Sequence, residues 1–148
     1  DITESFVVIL LHAKCCTDDE DWTRKAEGST ALKAYLDQNW PDALVMVLGD
    51  FNDDIDTSIA ESKNSSYKNF VDDSENYIFP TLELSESGIS STVFYPDMID
   101  HHLTTKELYT WYIPKSVMSF PAENYVPDYG STTSDHYPVL SRYAIPNN

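Results

Sequence analysis

Apolar residues along this chain come in short runs, and each run delivers a polar residue capable of chemistry. Phe6 to Leu11 ends at His12. Leu44 to Leu48 ends at Gly49, followed by Asp50 and Asn52. Met98 to Leu103 encloses Asp100, His101 and His102, and Asp135-His136 stands just ahead of Val139-Leu140. Unbroken runs of this length predict strands buried on both faces. Gly49 is expected to end its strand with a sharp turn, leaving Asp50 and Asn52 just beyond. Between the first two strands, Thr17 to Glu20 reads as a capping box opening a helix to about Gln38. Trp22, Ala26, Leu32, Leu36 and Trp40 give that helix one apolar face, and Pro41 marks its stop. Such a helix would cover the sheet, and no chemistry is assigned to it. Thr57 to Ser90 predicts short helices and loops, with Tyr67, Phe70, Val71, Tyr77, Phe79, Leu82 and Leu84 as packing residues and Gly88 in a turn. A strand is expected over Thr92 to Tyr95 and a short helix over Glu107 to Ile113. The alternation of strands and helices makes the chain α/β.

Four strand ends carrying Asp, Asn or His are hard to explain as packing alone. Asp50 is an acceptor-only carboxylate, and the neighbouring Asn52 carboxamide can donate, a useful pair around a phosphate and its attacking water. His12 taken alone is better explained as a strand-end histidine hydrogen-bonded to backbone. Asp50, Asn52, Asp54, Asp56 and Glu61 also fall at the ligand positions of an EF-hand calcium loop. Ile55 occupies the position where that loop needs Gly, and a strand rather than a helix precedes it, so a solvated acidic turn is the better reading. A looser cation site on Asp53, Asp54 or Asp56 stays open. Tyr125 and Tyr129, close before Asp135-His136, are candidates for substrate contact.

At 148 residues there is room for one domain with a modest core. A formal net charge of −16 with nine scattered basic residues gives no electrostatic footprint for nucleic acid. It suits a solvated surface in an extracellular or saline setting. Cys15 and Cys16 are the only cysteines. A bond between neighbours strains the intervening peptide, so two buried free thiols, or bridges to cysteines upstream, are the readings kept open. No apolar run is long enough to span a membrane, and no signal peptide is recognisable. The first residue is Asp, so a processed, cloned or truncated start is expected.

His12-Ala-Lys, Gly49-Asp-Phe-Asn52, Ile99-Asp-His-His102 and Ser134-Asp-His-Tyr-Pro-Val139 together resemble the later motifs of the endonuclease/exonuclease/phosphatase superfamily. Order and spacing match over nearly the whole chain, closest in style to bacterial secreted members of the DNase I-like kind. The resemblance implies the C-terminal part of a four-layer α/β sandwich, two packed mixed sheets flanked by helices. It implies metal-dependent phosphodiester hydrolysis, with a nuclease ahead of a phosphatase or sphingomyelinase-like enzyme. A non-catalytic structural or interaction protein retaining the fold is the competing class. By resemblance His12, Asp50, Asn52, Asp100 and His136 are catalytic, and Asp135 ligates or orients the metal. Asp100 would orient His136, Asp50 the water and Asn52 the phosphate, while His12 would serve the leaving group. The role of His101 stays open, and His102 reads as structural. The metal implied is Mg²⁺, with Mn²⁺ or Ca²⁺ as substitutes. Family members hold it with an Asn and a Glu from earlier strands, which nothing before Phe6 supplies. The expected partners are therefore a nucleic acid or other phosphate ester and an N-terminal half of the same domain. An extracellular or periplasmic location follows from the same likeness.

Overall fold

The computed structural model describes residues 5–146. A four-stranded mixed sheet runs in the order β1 (Val7–His12), β2 (Val45–Asp50), β4 (Asp100–Thr105), β3 (Tyr77–Ile78). β1 lies parallel to β2, and β4 is antiparallel to both β2 and β3. A second sheet pairs β5 (Met118–Ser119) with β6 (Val139–Leu140). The chain is thus a mixed α/β protein.

Helix α1 (Asp19–Asn39) joins the parallel pair, as a parallel crossover requires. Its cap is Asp18, whose side chain accepts from the Asp21 amide, one residue later than the expected capping box. Asp19, Glu20 and Asp21 in the first turn complement the positive helix end. Leu36 is buried at the centre of the core, with Leu32 and Trp40 packed beside it. The same core takes Val45, Val47, Phe51, Ile55, Tyr67, Phe70, Tyr77, Phe79 and Leu103. Four short helices follow: α2 (Lys68–Val71), α3 (Leu82–Glu86), α4 (Lys106–Tyr109) and α5 (Tyr129–Thr132).

Several expectations are corrected. β1 is not covered on both faces, unlike β4, whose residues after Asp100 are all buried. β1 is an edge strand, and its outer face shows Leu10 78% exposed, with Phe6 and Val8 about half exposed. Gly49 does not end β2, which continues through Asp50. At φ +139° it lies where a β-carbon would collide with the Leu11 carbonyl oxygen of the neighbouring strand. Thr92 to Tyr95 is loop, not strand. The Thr92 amide donates to Ser90 Oγ, the Tyr95 amide donates to Thr92 Oγ1, and these hydroxyls displace a ladder.

Cys15 and Cys16 are bonded to each other, and both are exposed. Their Cα atoms are 3.7 Å apart across a trans peptide. Cys16 adopts φ +87°, a left-handed conformation that lets neighbouring sulfurs meet. Among the described residues the acidic segment gathers no cluster of metal-binding side chains of its own, and two of its carboxylates are engaged within the loop. Both Asp53 oxygens are taken by Ser58 Oγ, Ser66 Oγ and the amides of Ile59 and Ser66. Asp54 accepts the amides of Ile55 and Met98. These carboxylates staple the loop.

Candidate active site

Register builds the site. Residues paired across neighbouring strands share a face of the sheet. His12 pairs with Asp50, and Asp50 with Asp100, so one row at the sheet's end carries all three on one face. Two residues back the row is Leu10, Leu48 and His102, and before that Val8, Met46 and Thr104. The polar row therefore ends a face that is apolar on β1 and β2 and polar on β4.

Asp50 is held through both oxygens. The Asn52 amide donates to Oδ1 at 2.8 Å, and the Asn52 carboxamide donates to Oδ2 at 3.0 Å. Asn52 reaches back this way because it adopts φ +50°, a conformation that Asn tolerates better than most residues. Its carboxamide nitrogen also donates to the Ala13 carbonyl. The Asn52 side chain is therefore engaged in orienting Asp50 rather than turned to solvent. His12 is 80% exposed, with Nε2 3.5 Å from Asp50 Oδ2.

His136 arrives from a separate segment. Its Nδ1 donates to Asp100 Oδ2 at 2.8 Å, and the same oxygen accepts Ser91 Oγ at 2.7 Å. Ser91, fully buried, accepts the amides of Ile99 and Asp100 in turn. Tyr129 Oη donates to the His136 carbonyl at 2.8 Å. That buried position excludes Tyr129 from the substrate contact expected of it, whereas Tyr125 is 72% exposed and stacks on Phe120.

The electrostatics favour a protonated His136 and, through burial, pull the other way on the Asp100 charge. Burial pulls His136 down, but the hydrogen bond and charge of Asp100, with Asp50 and Asp135 adding, outweigh it and raise its pKa. Burial pushes the Asp100 carboxyl up, only partly offset by its bonds from Ser91 and His136. Asp135 itself is exposed, and its carbonyl accepts the Val93 amide.

Asp50, Asp100 and His136 each offer one ligand atom, all within 4.8 Å of one another, so this cluster can hold a metal ion. Asp100 Oδ1 carries no hydrogen bond among the described residues and is free for such an ion, whereas His136 Nε2, also unbonded, could join it only as a neutral imidazole. Two carboxylates suit a hard cation such as Mg²⁺, and the imidazole broadens the choice to Mn²⁺. Asp135 stands outside this cluster.

The other two histidines are packing groups. His101 is fully buried against Phe51 and Phe79. Its Nε2 donates to the Asp53 carbonyl, so Nδ1 accepts from Thr81 Oγ1. His102 Nδ1 meets Ser141 Oγ at 2.7 Å. Burial lowers both to about 4.

Three supporting residues escaped the sequence reading: Ser91, Tyr129 as a backbone anchor, and Lys25. Lys25 is 2% exposed, and its Nζ donates to the Asn52 carbonyl at 2.6 Å and the Cys16 carbonyl at 3.0 Å. The four-residue spacing of Asp21, Lys25 and Ser29, all buried, was the available signal. Nothing in the sequence marks Ser91. No protein-family model matches the chain, and no curated protein matches it.

Proposed function

We propose that this chain performs metal-dependent phosphodiester hydrolysis as part of an endonuclease/exonuclease/phosphatase (DNase I-like) domain, with nucleic acid the favoured substrate. One observation carries the reading: the row His12, Asp50, Asp100 with His136 docked on Asp100. A carboxylate held by two donors, an imidazole held by a carboxylate and a second, exposed imidazole are what hydrolysis of a phosphate ester requires.

A Mg²⁺ ion bound by Asp50 and Asp100, with His136 beside it, would supply charge to a phosphoryl oxygen and to the leaving oxygen. The residues divide the remaining work. Asp100 keeps His136 protonated, and its imidazolium Nε2–H faces the charge that develops on the phosphoryl group. Asp50 takes or orients the proton of the attacking water. Asn52 fixes Asp50 through its amide and carboxamide. His12, free to turn, delivers a proton to the leaving group. Asp135, outside the metal cluster, adds negative potential at His136.

The exposed outer face of β1 supports the remainder of the reading. Phe6, Val8 and Leu10 offer an apolar surface on an edge strand. Packing of the N-terminal half there would complete a four-layer sandwich and bring the Asn and Glu that the resemblance assigns to the metal. An extracellular or periplasmic setting belongs to the same proposal, since a bonded cysteine pair persists in oxidising compartments.

A sphingomyelinase-like activity is the second reading, favoured by one feature. Phe94 is 62% exposed and Tyr95 68%, on the loop whose Val93 amide bonds the Asp135 carbonyl. An aromatic rim beside the site on a chain of net charge −16 suits a lipid phosphodiester better than a polyanion. The intact protein with Mg²⁺ should be assayed on supercoiled plasmid, a phosphomonoester and sphingomyelin vesicles. Chelator-sensitive turnover of plasmid supports the nuclease reading, and preference for sphingomyelin moves the assignment to the second. Silence on all three would overturn the catalytic reading in favour of a binding protein that keeps the fold.

A further inference from the structure

Helix α1 buries apolar Leu36 in its second half, but the stripe it buries in its first half is polar. Asp21, Lys25 and Ser29 follow at four-residue intervals, and all three are buried. Ser29 has a local explanation, since its hydroxyl donates to Asn69 Oδ1 and the Asn69 carboxamide donates to its carbonyl. Asp21 pairs with Lys14 at 3.0 Å. Lys25 differs, because its ammonium is buried without a hydrogen-bonded carboxylate and makes its bonds to main-chain carbonyls alone.

Those carbonyls are not arbitrary. Asn52 and Cys16 both have positive φ, +50° and +87°. Left-handed backbone at a non-glycine residue is sparsely populated and persists only where its surroundings impose it. Each of these residues ends a segment that carries a member of the row. Cys16 lies in the loop after β1, four residues past His12. Asn52 lies two residues past Asp50 and supplies both of its hydrogen bonds. An ammonium has three donors, enough to hold two carbonyls at once. Burial lowers the Lys25 pKa, and the charges of Asp53, Asp21 and Asp50, none hydrogen-bonded to it, offset that only in part.

We infer that Lys25 is a positioning residue for the site: its buried ammonium clamps the left-handed carbonyls of Asn52 and Cys16 together, and so fixes the Asp50 carboxylate relative to the His12 strand. Lys25 does not reach the row itself and takes no part in proton transfer. The inference rests on the proposed site, but the clamp is measurable without activity.

Two measurements on the intact protein test it. In the wild type, the Lys25 ammonium protons should exchange slowly in nitrogen-15 spectra, with a coupling from Nζ to the Asn52 carbonyl carbon. An ammonium exchanging as fast as that of an exposed lysine overturns the clamp, and this measurement needs no variant to fold. Lys25→Met keeps most of the buried volume and removes the donors. Its Asn52 amide should lose at least tenfold in hydrogen-exchange protection while the Val47 amide, in the core of β2, keeps its own. Lys25→Arg should recover part of the Asn52 protection. Equal losses at both amides, or none at Asn52, would make Lys25 a general structural residue and overturn the proposal. If the wild type hydrolyses a phosphate ester, Lys25→Met should lower kcat at least tenfold with KM within twofold. If the wild type hydrolyses none while the exchange result holds, the clamp stands and the catalytic reading falls.

Discussion

At the scale of single residues, the Asp100–His136 contact decides what the site can do. His136 is raised and Asp100 is raised, so the folded protein holds protons that the unfolded chain releases. For His136 the sign is direct. Its stabilisation is complete below pH 6.5 and is lost as pH rises through its higher folded value. The proposed role uses the same protonated form. Hydrolysis should therefore decline on the alkaline side, through a pKa above 6.5. Asp100→Asn removes the partner charge, so the alkaline limb of the kcat/KM profile should move to lower pH, and its maximum should fall on the order of 10²-fold. An unmoved limb would remove His136 from the rate. Asp100 was legible in the sequence as a polar interruption within an apolar run and His136 by its place just ahead of Val139-Leu140, while their roles came only with the resemblance. Ser91 was not, because a serine in a loop carries no signal of the carboxylate it faces. Lys25 was hidden by expectation. A lysine on an amphipathic helix is ordinarily placed in solvent, and only the loop it meets makes burial tolerable.

At the scale of elements, the strands were legible and their pairing was not. Runs of valine, leucine and isoleucine located β1, β2 and β4 to within two residues, since β-branched and apolar side chains favour a pleated, half-buried surface. The row of His12, Asp50 and Asp100 depends on register, which no single run encodes. β3 and β5 have two residues each, too short for any alternation to show. Where hydroxyls captured the backbone, at Ser90 to Tyr95, an apparent strand became loop. Gly49 shows how tightly β1 and β2 approach. Alanine there would meet the Leu11 main chain at φ +139°, with neither backbone free to withdraw. Gly49→Ala should destabilise by about 2–4 kcal/mol, measured by urea unfolding. Gly88→Ala, also at positive φ but with open space around its β-carbon, should cost only about 1 kcal/mol. Equal losses at the two positions would mean that strand contact adds nothing to conformation at Gly49.

For the whole molecule, charge and histidine burial set the working range. Twenty-five acidic residues against nine basic ones keep the chain soluble and self-repelling at neutral pH. His101 and His102 work in the opposite direction from His136. Their folded pKa values are depressed to about 4, so the native state keeps them neutral while the unfolded chain protonates them near 6.5. Stability should hold above pH 6.5 and fall between pH 6.5 and 4, by on the order of 3 kcal/mol for each histidine. Urea midpoints across that range should flatten in a His102→Gln variant, and an unchanged slope would mean that His102 is solvated. No helix among the described residues is long and apolar enough to cross a membrane. The outer face of β1, with Phe6, Val8 and Leu10, is an apolar surface that no other described residues cover, beside the row that carries the proposed chemistry.

Nicking of supercoiled plasmid in Mg²⁺ by the intact protein, beside its His136→Ala variant, tests the proposed chemistry most directly. The wild type should nick, chelator should abolish the reaction, and the variant should be slower by about 10²-fold or more. A variant within tenfold of the wild type would contradict the account, because the imidazole docked on Asp100 would then carry none of the catalysis assigned to it.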